Sequence, residues 1–104
     1  MIKITIHKDN NGNTLEYETT GHAKDKRVCA AVSVITQAPI LTLLKNFELH
    51  DGQFYYALKD AYLFVKLPFN NETTNILTDN MILTLQELER LYPDEIQITE
   101  KVVN

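Results

Sequence analysis

The chain has 104 residues, 44% of them hydrophobic, the size of one compact domain of roughly 100–150 residues with its own core. Fourteen acidic residues against ten basic ones give a net charge of −4, the wrong sign for neutralising many phosphates, so direct nucleic-acid binding is not expected. One cysteine excludes an intrachain disulfide, and no run approaches the roughly 20 apolar residues of a membrane span or the apolar core of a signal peptide, so a reducing cytoplasm is the expected setting.

Ile2, Ile4 and Ile6 alternate with Lys3 and Thr5, the period of a strand with one buried face. Five turn formers follow, Asp9-Asn10-Asn11-Gly12-Asn13, and then Leu15, Tyr17 and Thr19 alternate with Glu16, Glu18 and Thr20. Residues 1–20 therefore read as a β-hairpin. Past a polar connection at residues 21–27 the spacing changes to threes and fours, at Val28, Val32, Ile35, Thr36, Ile40, Leu43 and Leu44, which predicts a helix beginning at Val28. Pro39 inside it predicts a kink or local break near residues 36–38. Residues 53–67, rich in Phe and Tyr with Lys59-Asp60-Ala61 in the middle, read as a second hairpin. Asn71 is the expected N-cap of a second helix, whose face is Leu77, Met81, Leu85 and Leu88 and whose end is set by Pro93. Ile96, Ile98 and Val102 mark a last short strand. The order ββαββαβ predicts one α+β domain over residues 1–104, a two-layer sandwich with two helices packed on one face of a mainly antiparallel sheet.

Cys29 carries the chemistry. It falls on the second residue of the expected helix, where unpaired backbone N–H groups and the positive end of the helix dipole favour a thiolate, and Lys24, Lys26 and Arg27 add positive charge. His22 lies seven residues earlier, within reach as a base if the loop folds back. Gly21 frees the backbone to turn there and Ala23 leaves room beside the imidazole. The same residues leave open an exposed loop histidine beside an inert core thiol. Asp25 is either a third member orienting His22 or a solvated ion-pair partner, and Ser33, one turn after Cys29, either lines the site or caps a helix carbonyl. His7 and His50 stand among polar turn residues with no carboxylate or thiol at ligand spacing, so neither a metal nor a cofactor is expected. No GxGxxG, P-loop, HExxH or GxSxG motif occurs.

Gly21-His22-Ala23 followed by Val28-Cys29-Ala30-Ala31-Val32-Ser33 resembles the ribosomal-processing cysteine protease family, Prp. The opening hairpin, the helix beginning at the cysteine, Tyr92-Pro93 and the last strand resemble it too. The resemblance implies a cytoplasmic, homodimeric cysteine peptidase that removes a short N-terminal extension from large-subunit ribosomal protein twenty-seven. It places the catalytic dyad on His22 and Cys29, with Gly21, Asp25, Ala30 and Ser33 as supporting or substrate-binding residues. The early amides of the helix would stabilise the oxyanion. The connecting segment Lys24-Asp25-Lys26-Arg27 departs from the family by being short and by carrying Lys26 where many members have an aspartate three residues before the cysteine. Asp25 is the expected substitute by a shift of one residue. A competing reading of another class is a ribosome-associated binding protein that keeps the motif without cutting. A thiol redox sensor would lack a resolving cysteine within the chain.

Overall fold

The structure, a computed structural model, describes residues 1–49 and 54–103. The first hairpin comprises β1 (Ile2–Lys8) and β2 (Thr14–Thr20). Its turn is held by the Asp9 carboxylate, which accepts the N–H groups of Asn11 at 2.9 Å and Asn13 at 3.0 Å. Then come α1 (Lys26–Asn46), the second hairpin of β3 (Tyr55–Lys59) and β4 (Tyr62–Lys66), α2 (Glu72–Leu91) and β5 (Ile96–Val102). The strand order is β3-β4-β2-β1-β5, with every pairing antiparallel except β1 with β5. The expected sandwich of two helices on one face of a mainly antiparallel sheet is the fold observed, and β5 makes the sheet mixed. The expected start of the second hairpin at Gln53, and His50, lie outside the described residues.

Strand pairing carries the alternation in the sequence into rows that run across the sheet. Ile6 pairs with Tyr17 and Tyr17 with Val65, and all three are buried. In the next row Ile98, Ile4, Thr19, Leu63 and Leu58 are successive partners, buried or half-buried as far as Leu63 and exposed at Leu58 on the edge strand. The opposite face carries Lys3, Glu16 and Glu18. His7, expected in a turn without a carboxylate partner, lies in β1 on that face, its Nδ1 2.9 Å from Glu16 Oε1 on the neighbouring strand. Strand register brings together residues nine apart in sequence.

Of the kink or local break expected near residues 36–38, the break does not occur: helix α1 continues through Pro39. Pro39, Ile40 and Leu43 are all buried there, and packing of that face outweighs the one hydrogen bond that proline cannot donate. The turn is also braced from the sheet, since the buried Tyr17 hydroxyl donates to the Thr36 carbonyl at 2.7 Å. Contrary to the composition reading, α1 is by length and composition long and apolar enough to cross a membrane. In this fold its Val28, Val32, Ile40 and Leu43 belong to the core shared with the sheet and α2. Asn71 caps α2 as expected, accepting the Thr74 N–H while the Thr74 hydroxyl accepts the N–H of Asn71. Val102 ends β5 exposed rather than facing the core.

Candidate active site

Three separate stretches of chain meet at the N-terminal end of α1. The first is the residue 21–25 segment leaving β2, whose Gly21 has φ +94°. An ideal Cβ on Gly21 would sit 2.3 Å from the Met1 carbonyl oxygen, so the position requires glycine twice over, for its conformation and for this close approach. The Gly21 N–H donates to the Ala61 carbonyl in the β3–β4 turn at 3.0 Å, and the Met1 nitrogen donates to the His22 carbonyl at 2.7 Å. The second stretch is the β3–β4 turn itself, where Ala61 holds a left-handed φ of 58°. The third is the turn between α2 and β5, whose Glu95 accepts the Asp25 N–H at 2.8 Å.

A cleft of about 250 Å³ opens between the start of α1 and the β3–β4 hairpin, and Gly21, His22, Cys29, Ser33, Gln37 and Leu58 are among its walls. Cys29 is the fourth residue of α1, not the second, because the helix begins at Lys26. Hydrophobic spacing marks only the buried face and cannot register a polar first turn. The thiol is half-buried. Its sulfur accepts the Ala23 N–H at 3.2 Å, and its S–H faces the Ala23 carbonyl at 3.6 Å. His22 is exposed at the mouth of the same cleft. Among the described residues no hydrogen bond joins its ring to the sulfur.

Asp25 takes the ion-pair role and not that of an orienting group for His22. It is the N-cap of α1, its Oδ1 accepting from Arg27 N at 2.9 Å and Nε at 3.1 Å, its Oδ2 from Nη2 at 2.8 Å. The guanidinium beside it, with the backbone N–H of Arg27, holds this carboxyl below its ordinary range. The Asp25 carbonyl meanwhile accepts from Val28 and Cys29 N–H at 3.1 and 3.4 Å. The early helix amides expected to face an oxyanion are thus turned to Asp25, and the Ala23 N–H is the donor at the sulfur. Ser33 lines the cleft and its hydroxyl accepts from Gln37 Nε2 at 2.7 Å. Ala30 is exposed and is not among the cleft walls.

Gln37, the β3–β4 turn and Glu95 are parts of the site that sequence reasoning missed. The spacing of Gln37, eight residues beyond Cys29 and four beyond Ser33, is a signal for a shared helix face. The other two are distant in sequence and carry no local signal. Among the described residues no group of three or more His, Cys, Asp or Glu side chains is placed to hold a metal ion. An exposed imidazole and a half-buried thiol on one cleft are the parts of a nucleophile and its base.

The family model described as Cysteine protease Prp matches residues 1–97. The chain belongs to the Prp cysteine protease family. The ribosomal processing cysteine protease Prp of Bacillus subtilis (strain 168) is 28% identical over 116 residues, spanning 99% of this chain and 100% of that one. A crystal structure of the Prp protease from S. aureus with a covalently linked product peptide superposes with a TM-score of 0.78 at 20% identity, over 97% of this chain and all of that one. A Streptococcus mutans protein of known structure superposes with a TM-score of 0.76 at 22% identity over 99% of each chain. These structural likenesses confirm that the sandwich is the fold of Prp proteases.

Proposed function

We propose that this chain is a cytoplasmic cysteine endopeptidase that removes the N-terminal extension of large-subunit ribosomal protein twenty-seven during ribosome assembly, with His22 and Cys29 as its dyad. One observation carries the reading: the only cysteine of a Prp-family chain opens onto a cleft whose mouth is occupied by His22. The name of the Bacillus relative and the peptide bound to the S. aureus protease support a ribosomal peptide as substrate. The net charge of −4 complements a basic ribosomal protein. The protein acts as a homodimer, a reading supported by the exposed apolar stripe of Val34, Leu41 and Leu44 on α1.

With peptide in the cleft, the His22 ring turns in over Cys29 and takes the thiol proton. The thiolate attacks the scissile carbonyl, forming a C–S bond, and the oxyanion faces the Ala23 N–H. Collapse breaks the C–N bond as His22 returns the proton to the departing amine. Water, deprotonated by the same imidazole, then hydrolyses the thioester and frees the sulfur.

A peptide spanning the junction between extension and mature N-terminus, incubated with the protein and analysed by mass spectrometry, tests this reading. Cleavage at one bond is expected, and Cys29→Ala is expected to lose roughly 10³-fold or more of the rate while melting at an unchanged temperature. A peptide bound but left intact by the native protein would establish the non-cutting, ribosome-associated alternative.

A further inference from the structure

An N-cap residue keeps a backbone N–H of its own that the helix cannot satisfy. In a capping box the third helical residue, a Glu or Gln, reaches back to accept it. Helix α2 solves the problem locally, with Thr74 accepting from Asn71. Helix α1 cannot, because its third residue is Val28, which has no acceptor and is 1% exposed in the core. The missing acceptor comes from 70 residues away, where Glu95 Oε1 lies 2.8 Å from the Asp25 nitrogen. Glu95 is itself fastened through its backbone, its carbonyl accepting from Ile2 N–H at 2.8 Å and its N–H donating to the Tyr92 carbonyl at 3.0 Å.

We propose that Glu95 is a positioning residue for the Cys29 nucleophile, completing the N-terminal cap of α1 from the α2–β5 turn. Between Asp25, held by this carboxylate, and Gly21, held by Ala61, only three residues remain, and they include His22 and Ala23. The clamp thus fixes the short segment whose Ala23 N–H meets the sulfur. A displacement of about 1 Å at a reacting centre is enough to cost up to roughly 100-fold in rate.

The activity arm of the test rests on the peptidase reading, and two other arms do not. Glu95→Ala is expected to speed hydrogen exchange at the Asp25 amide by about 10-fold or more. It is also expected to slow iodoacetamide alkylation of Cys29, the only thiol in the chain, by more than threefold, because Ala23 no longer donates steadily to the sulfur. On a cleaved peptide kcat is expected to fall about 10-fold with KM within about twofold. Glu95→Gln, whose amide oxygen accepts at the same reach, is expected to stay within about threefold of the native protein in all three. A Glu95→Ala protein with native exchange and alkylation overturns the proposal, as does a Glu95→Gln protein as impaired as the alanine variant. A native protein that cleaves no peptide defeats the peptidase reading, while exchange and alkylation still decide the role of Glu95.

Discussion

At the scale of single residues the site depends on side chains that are absent as much as on those present. Gly21 combines a φ of +94° with the Met1 carbonyl 2.3 Å from where a Cβ would stand, so neither backbone nor neighbour can yield cheaply. Gly21→Ala is expected to destabilise the protein by about 2 kcal/mol or more, read as a lower urea midpoint with unchanged m. A midpoint within error of the native one would show that the Met1 strand end is free to move. Cys29 and His22 are legible as chemistry because singularity, spacing and motif all survive in one dimension. The role of Asp25 is not, because a carboxylate two residues before an arginine and three after a histidine can serve either. Distances decided it, placing both of its oxygens on Arg27.

At the scale of elements the periodicities of two and about three and a half predict the strands and helices, and the failures occur where a polar or constrained residue is overridden by packing. Pro39 is the clearest. A proline inside a helix costs about 3 kcal/mol relative to alanine, whereas its two extra methylenes contribute only about 0.8 kcal/mol each when buried. Pro39→Ala is therefore expected to stabilise the protein by about 1 kcal/mol, raising the urea midpoint. A lowered midpoint would mean that ring packing at this site exceeds the helix penalty. The asymmetry of the two helix caps belongs to this scale too. Asn71 and Thr74 form a cap readable from four consecutive residues, whereas that of α1 is split between Asp25 and Glu95.

At the scale of the whole molecule, the core uses one side of α1, and the other leaves Val34 71%, Leu41 66% and Leu44 49% exposed. The proposed dimer would cover this stripe. Light scattering is then expected to give twice the 12.0 kDa chain mass, and Leu41→Glu to return it to a single chain without changing the fold. A native protein of single-chain mass would remove the proposal. The sequence by itself determined the order of elements, the inward face of the first hairpin, the local cap of α2 and the two residues to watch, because alternation, capping and motif spacing are properties of neighbouring residues. Only the tertiary structure decided that β5 runs parallel beside β1, that the β3–β4 turn walls the cleft, that Asp25 answers to Arg27, and that Glu95 caps the helix bearing Cys29. Apart from the Asp25–Arg27 pair, which is local but had a rival partner in His22, those are contacts between residues far apart in the chain, set by sheet register and layer packing, and no local pattern encodes their partners.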